Sequence, residues 1–403
     1  MSVKIAVYPI HSSMVYGDLV SEKSKELLKD LTDKTGYEFV IVDLKDLKKY
    51  DLPLILVQSG GSENLFKDDI YPSYPGPYYL LTYGSSNSLA ASLEILTYIK
   101  EKHCQGEVLH GSLDYIASRL DVLLKAKAKA EEPLHRLGVM GKPSDWLISS
   151  DVSPKRAKEI FHINLVNISE EEVIEEIKKH HEPVPEGRFK ATFDANQLQS
   201  AYDIACALDA LVKKHHLEGF TLRCFDIIKA VNMSACLGLA LMNEKDIIAS
   251  CEGDVPAMIT AYSVLSVLHQ HAFQANPQWI DPDKNNITFA HCTLPLDMAD
   301  GYTFDTHFES GIGLGIHGNM NPGPVTVVKV SADLTEFYVE EGEILEDEYR
   351  SDRCRTQIVL HLDGSVTYFL KSSLGNHHQI VYGHHKKELK DYYESLGLRE
   401  VTA

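Results

Sequence analysis

The sequence predicts an α/β fold, with two doubly wound α/β domains followed by a C-terminal antiparallel β-rich domain. Three observations predict it. Short apolar runs alternate with helically spaced apolar positions twice over before residue 300, the pattern of parallel sheets covered by helices. From Gly301 the pattern changes to short β-rich runs separated by glycine. A chain of 403 residues also exceeds one ordinary core. The expected domains are 1–132, 133–300 and 301–403.

In the first domain VKIAVY (3–8), EFVIVDL (38–44), PLILVQ (53–58) and PYYLLTY (77–83) are strand-like. Helices are expected over 17–35, Glu63–Asp69, Ser88–Lys102 and Ser112–Glu132. The last ends in KAKAKAEE, whose alternating Lys and Ala suit a solvated helix or a connector. The second domain opens with HRLGVM and a turn at Gly141 and Pro143. KRAKEIFH is helical, INLVNIS is strand-like, and SEEEVIEEIKKHH (169–181) has a capping-box start at Ser169 and Glu172. His180 and His181 then close a helix, where imidazole favours the dipole. A helix over Asn196–His216, a strand GFTLRCFDII (219–228) and a helix-like VNMSACLGLALMNEK lead to IIASC. An amphipathic helix and a strand NNITFA follow. In the third domain TFDTHFES, GIGLGIHG, PVTVVKVS, EFYVEEGEIL, QIVLHL, VTYFLKS and HQIVYG are strand-like, and HKKELKDYYESLG is a terminal helix. Gly311, Gly313 and Gly315 lack the strand-to-helix context of a phosphate loop.

Charge narrows the function. Lys+Arg 39 against Asp+Glu 58 gives −19, which repels nucleic acid and anionic membrane surfaces. No apolar run approaches the roughly 20 residues of a bilayer span. The start lacks a secretory pattern. A cytoplasmic enzyme of small molecules is expected. Seven scattered cysteines with no CxxC pair read as reduced thiols.

Chemistry concentrates at 247–295. Glu252 ends one strand, with Asp254 as N-cap and Pro256 early in the next helix, so its carboxylate faces orphan N–H groups and stays ionised. His291 ends NNITFA, and parallel strands would bring it to the sheet edge of Glu252. A carboxylate and an imidazole suit a borderline divalent ion, with a third ligand from His377 or His378 in GNHHQIVYG. His384 and His385 are surface residues, and His307 and His317 are undecided. Arg223 and Asp226 either reach the site or form a surface ion pair.

FDIIKAVNMSACLGLALMNEKDIIASCEGDVPAMIT, AHCTLP, THFESGIGLGI and GNHHQIVYG, with QSGGSEN (58–64) and SSNSLAASLEIL (85–96), together resemble the L-fucose isomerase and L-arabinose isomerase superfamily, closest to its short L-fucose isomerase-like members. The resemblance implies a homo-oligomeric aldose–ketose isomerase of a free sugar, using a divalent metal, commonly Mn²⁺. It implies Glu252 as ligand and base, and His291 with one of His377 and His378, His378 slightly favoured, as further ligands. The family's second acidic residue falls on Asn276, which can offer a carbonyl oxygen to metal or substrate but cannot carry a proton. Glu252, Asp254, Asp281 and a metal-bound water are then the candidate proton carriers, and Arg223 a candidate substrate contact. A related enzyme on a substituted or acidic sugar and a non-catalytic sugar or metal binder are the alternatives.

Overall fold

A computed structural model describes residues 3–12, 20–102, 104–131 and 133–403, with 126–131 described as helix only. Contacts divide the chain into two compact units, Met1–Pro133 and Leu134–Ala403. In the first, β1 (Lys4–Ile10), β2 (Glu38–Ile41), β3 (Leu52–Val57), β4 (Tyr78–Leu81) and β5 (Gly106–Leu109) form a parallel sheet in the order β2-β1-β3-β4-β5. Successive side chains point to opposite faces. Ile5 and Val7 therefore pack with Leu28, Leu31 and Leu120 from the helices Glu22–Thr35 and Leu113–Glu131, while Ala6 packs with Ala91, Ile95 and Ile99 from Ser88–Glu101. Both faces are covered, which is why these strands read as unbroken apolar runs. The expected helix over 17–35 is described from Glu22, and its first residues 17–19, like 132, lie outside the described residues.

The second unit begins with a parallel sheet, β6 (His135–Met140), β7 (Ile163–Ile168), β8 (Gly219–Leu222) and β9 (Ile248–Cys251), in the order β7-β6-β8-β9. Next come β10 (Phe273–Asp281), β11 (Asn286–His291), and a two-stranded antiparallel pair, β12 (Gly301–Asp305) and β13 (Gly315–Asn319). After these follow β14 (Gly323–Val330), β15 (Glu336–Asp347), β16 (Thr356–Leu362), β17 (His378–Tyr382) and β18 (Arg399–Glu400). The sheet runs β14-β17-β10-β11-β16-β15-β18, and a further β14–β15 pairing closes its first six strands into an antiparallel barrel. No helix among the described residues is long and apolar enough to cross a membrane.

The helix Val255–Leu268 joins sheet to barrel. It touches β8 and β9 on one side and β14 and β17 on the other, so every residue from Val255 to Val264 is buried. The expected amphipathic helix is thus buried all round over that stretch, with the hydroxyls of Thr260 and Ser263 bonded to the helix's own carbonyls.

Several expectations change. β11 runs antiparallel between β10 and β16 in the barrel, so His291 does not close a parallel strand beside β9. The expected boundary at 300/301 falls after two barrel strands, β10 and β11, are already in place. FQANPQWID is strand β10 despite Pro277, because a register shift between Pro277 and Trp279 accommodates the proline. GFTLRCFDII is a strand only to Leu222; Cys224–Val231 is a helix burying Cys224, Ile227 and Ile228 at helical spacing. VTYFLKS contains the helical turn Tyr368–Lys371 rather than a strand. His180 and His181 lie beyond a helix that ends at Ile177, and pair with Glu176 and Asp203. All seven cysteines are free thiols.

Candidate metal centre

The site is built on a sharp turn after β9. Glu252 and Gly253 both take left-handed backbone angles, φ +64° and +70°, before Asp254 caps the buried helix. Such an angle is unfavourable for a glutamate by about 1–2 kcal/mol, so the surroundings must hold it. They do: the Glu252 carbonyl accepts from Ser144 N (2.9 Å), Gly253 N donates to Leu222 O (3.0 Å), and Val255 N donates to Ser150 O (3.2 Å). A Cβ on Gly253 would lie 2.4 Å from the Lys142 carbonyl oxygen, so only glycine lets the 141–150 loop close over the turn. That loop delivers Trp146, whose indole Nε1–H donates to Glu252 Oε2 at 2.9 Å.

Three side chains converge there. One donor atom each from Glu252, His291 and His377, all buried, lies within 4.8 Å of the others. The rings of His291 and His377 are 5.5 Å apart between centroids, and His377 Nε2 stands 3.4 Å from Glu252 Oε1. His291 comes from the end of β11 and His377 from the residue before β17. Parallel sheet and barrel therefore each contribute, and the helix between them holds the two parts together.

Two atoms of this cluster, His291 Nδ1 and His377 Nε2, lack hydrogen-bond partners, as does the buried Asn276 Oδ1 on the neighbouring strand. Asn276 sits on β10 opposite Ala290, the neighbour of His291. Each such orphan costs about 1–3 kcal/mol when left unsatisfied. A divalent cation would satisfy them, and a carboxylate with two imidazoles and an amide oxygen is a donor set suited to a borderline ion. The residues fit a metal.

Glu252 and His291 hold the charge states a metal needs, whereas His377 holds a proton that a metal would displace. Burial would raise the Glu252 carboxyl, but His377, His291 and the Trp146 hydrogen bond outweigh it and bring its pKa to about 2. Burial and the neighbouring His377 lower His291 to about 3, leaving a neutral imidazole with a lone pair to offer. Burial also acts against a charged His377, yet Glu252 and Asp254 raise it to about 9.

Asp254 stands behind this histidine. Fully buried, it accepts from Ala257 N (2.8 Å) as helix cap and from His377 Nδ1 (2.9 Å), with Lys329 Nζ 3.6 Å away. Its pKa is about 2, because Lys329 and His377 overcome the upward push of burial. By accepting the hydrogen bond from Nδ1–H it orients the ring so that Nε2 turns toward Glu252. Asp254 thus orients His377 from behind, fully buried.

The other expected site residues part company. His378 is opposite Ala275 in the barrel wall; its Nδ1–H donates to Asn376 O (3.0 Å) and its Nε2 accepts from Tyr368 Oη (3.1 Å). Phe289, Tyr338, Tyr368 and Phe369 enclose its ring. Both nitrogens are occupied, so His377 rather than the favoured His378 faces the cluster. Arg223, buried, bonds Asp226, Asp145 Oδ2 (2.8 Å) and the Pro143 carbonyl. It clamps the loop that carries Trp146, and is neither a free substrate contact nor a surface ion pair. Asp281 Oδ1 accepts from the amides of Asp283 and Lys284 in the β10–β11 turn, five residues along the strand from Asn276. It therefore caps a hairpin rather than serving the cluster.

Sequence reasoning missed Trp146 and Glu309 and left His307 undecided. Trp146 is one of two tryptophans in the chain, and its place in a polar turn after a strand was the available signal. His307 is buried with its ring 5.6 Å from Phe225, which in turn meets the Trp146 ring at 4.8 Å. Burial lowers it to about 4 although Glu252 acts the other way. Glu309, two residues on, is raised by burial and by the Glu252 charge and lowered by His377. His317 is turned elsewhere, toward the Arg355 carbonyl and Asp347. Cavities of about 410 and 400 Å³ lie apart from the cluster, lined by mutually paired charges such as Arg188–Glu244 and Arg353–Glu348.

No family model matches the chain. Sulfoquinovose isomerases of Priestia aryabhattai and Priestia megaterium (strain ATCC 12872 / QMB1551) are each 22% identical to it over 281 residues, 65% of this chain and 63% of theirs. The sulfoquinovose isomerase of Clostridium sp. (strain MSTE9) is 28% identical over 120 residues, 29% of this chain and 25% of its own. The chain thus spans 63% of the length of the Priestia relatives it matches.

Proposed function

We propose that the chain is an aldose–ketose isomerase acting on a substituted, acidic sugar, with a divalent ion, Mn²⁺ in the first instance, held by Glu252, His291, His377 and the Asn276 carbonyl oxygen. The observation that carries the reading is the convergence of Glu252, His291 and His377, with His291 Nδ1 and His377 Nε2 left without hydrogen-bond partners. The relatives' printed names favour a sulfonate-bearing aldose over a neutral one. The likeness to the L-fucose and L-arabinose isomerase superfamily supports the cis-enediol route.

A divalent ion bound there supplies a Lewis acid for the carbonyl and hydroxyl oxygens at C1 and C2. Glu252, kept ionised, takes the C2 proton and returns it to C1. Trp146 holds one Glu252 oxygen and so aims the carboxylate. Asp254 holds His377, and Arg223 holds the Trp146 loop.

The test is turnover of neutral, sulfonated and phosphorylated aldoses by chelated and Mn²⁺-reloaded protein. Activity on the anionic sugars that vanishes in chelator and returns with Mn²⁺ is expected, with loss in Glu252→Gln. Turnover unaffected by chelator overturns the metal assignment, and no turnover across the panel overturns the isomerase. We infer also a homo-oligomer, as the resemblance implies: Ile148, 92% exposed, is apolar surface that a second copy would cover, and sedimentation of the full chain tests this.

A further inference from the structure

Trp146 is 53% exposed although it stands one hydrogen bond from the buried cluster. Its Nε1–H donates to Glu252 Oε2 at 2.9 Å, while Oε1 of the same carboxylate lies 3.4 Å from His377 Nε2. The polar edge of the indole is therefore satisfied, and Phe225 meets the ring edge-on at 4.8 Å. What remains is apolar ring surface in water. Tryptophan is highly buried on average, and covering such surface is favourable in proportion to its area.

The loop does not leave the indole free to swing. Arg223 donates to the Pro143 carbonyl and, at 2.8 Å, to Asp145 Oδ2. Ser144 N donates to the Glu252 carbonyl (2.9 Å), Leu147 N to the Ser144 carbonyl (2.8 Å) and Val255 N to the Ser150 carbonyl (3.2 Å). At the start of the loop Gly141, at φ +87°, packs so closely that a Cβ would be 3.0 Å from Arg223 Cβ. Trp146 is thus held from both sides in sequence. A surface already ordered costs little conformational entropy when a ligand settles on it.

A sugar whose C1 and C2 oxygens sit at the cluster must carry the rest of its carbon chain away from it. Of the side chains gathered at the Glu252 carboxylate in the metal cluster or bonded to it, His291 and His377 are buried and Trp146 is open to solvent. The way out of the cluster therefore passes the indole. A linear sugar presents C–H groups as well as hydroxyls, and these slightly positive hydrogens suit the negative face of an aromatic ring.

We propose that the exposed indole of Trp146 is the platform on which the carbon chain of the substrate sugar packs beyond C2, while its N–H holds Glu252. This rests on the isomerase reading, which puts the sugar at Glu252. One residue then sets both partners of the proton transfer at C2, the base through Nε1 and the sugar through the ring. The platform recognises the hydrocarbon edge of the sugar and not its acidic group, so it serves neutral and anionic sugars of the same chain alike.

The chain has two tryptophans, and Trp279 lies on β10 beside a cavity apart from the cluster. Trp279→Phe therefore leaves Trp146 as the sole reporter and should leave turnover unchanged. In that background, loaded with Mn²⁺, the probe is the borohydride-reduced alditol of the aldose the parent turns over best, sulfoquinovose being tried first. An alditol has no carbonyl and is not turned over. Expected is a saturable change in Trp146 emission whose midpoint matches the calorimetric Kd. Trp146→Phe keeps a ring and loses the N–H: alditol affinity and KM should stay within about threefold, small beside a tenfold step, while kcat falls about 10–100-fold, as for a lost hydrogen bond to a charged group. Trp146→Ala loses the ring as well, and its KM and alditol Kd should rise about 3–10-fold above those of the Phe variant. The emission titration needs no change at Trp146, so it stands however either variant folds. Emission indifferent to an alditol that calorimetry shows to bind, an Ala variant that binds it as tightly as the Phe variant, or emission that follows protein concentration instead, as a face covered by a second copy would, each overturns the proposal. A parent chain inert on every sugar overturns the isomerase reading and takes the platform with it, whereas turnover with a silent indole overturns the platform alone.

Discussion

At the scale of single residues, the centre depends on charges arranged in layers. Lys329 faces Asp254, Asp254 faces His377, and His377 faces Glu252. Asp254→Asn keeps an N-cap of similar quality but removes the acceptor charge that orients the His377 ring. Mn²⁺ affinity should fall about 10–100-fold while the melting temperature changes little, read by metal titration and thermal unfolding. The same charges set a pH dependence for the metal-free protein. Glu252, lowered to about 2, stabilises above the unfolded carboxylate range and loses that contribution only as pH falls toward 2. His377, raised to about 9, stabilises fully below 6.5 and loses this as pH rises through 9. His291 at about 3 and His307 at about 4 act oppositely: between those values and 6.5 the unfolded chain binds protons the folded one refuses, so stability rises with pH. Stability of the chelated protein should therefore peak near pH 6.5, and His377→Gln should flatten the alkaline side. A melting-temperature profile in chelator that keeps its alkaline fall in His377→Gln would refute the assignment.

At the scale of elements, the turn 252–254 is the part least tolerant of change. Gly253→Ala places a methyl against the Lys142 carbonyl at a left-handed φ, so the 141–150 loop must shift. A loss of stability of at least about 1–3 kcal/mol is expected, read by denaturant unfolding, with Trp146 fluorescence moving because its bond to Glu252 is disturbed. The turn itself was legible in the sequence: Glu252 at a strand end, Asp254 as cap and Pro256 just inside the helix all fall where local chemistry puts them. Which strands pair was not. NITFAH has the composition of a buried strand in either kind of sheet, and only its long-range partners in β10 and β16 make it antiparallel. Pro277 hid β10, and with it the fact that Asn276 lies on a strand beside His291. The choice between His377 and His378 also lay beyond local pattern. It depends on Tyr368, which occupies His378, and on Asp254, which orients His377. Likewise Arg223 became a clamp only because Asp145 and Pro143 fold back from more than seventy residues earlier.

At the scale of the whole molecule, the three candidate ligands Glu252, His291 and His377 all belong to the unit Leu134–Ala403. The expected division at 300/301 would separate His377, and with it β14 and β17, from the helix Val255–Leu268 that packs on both. That helix has no exposed face: from Val255 to Val264 one side is covered by the parallel sheet and the other by the barrel. Fully burying a Val, Ile or Met side chain is worth about 1.5–3 kcal/mol, so Val255, Met258, Ile259 and Val264 would each lose part of that if the barrel were removed. A fragment ending at 300 should accordingly lack a cooperative unfolding transition and bind no Mn²⁺. The fragment 134–403 keeps the sheet, the barrel, the 141–150 loop and every candidate ligand, so it should unfold cooperatively and bind one Mn²⁺ with affinity within about tenfold of the full chain, a difference of about 1.4 kcal/mol. Calorimetric titration of the two fragments distinguishes this from a centre split between independently folding domains, for which the shorter fragment would fold alone and retain part of the affinity through Glu252 and His291.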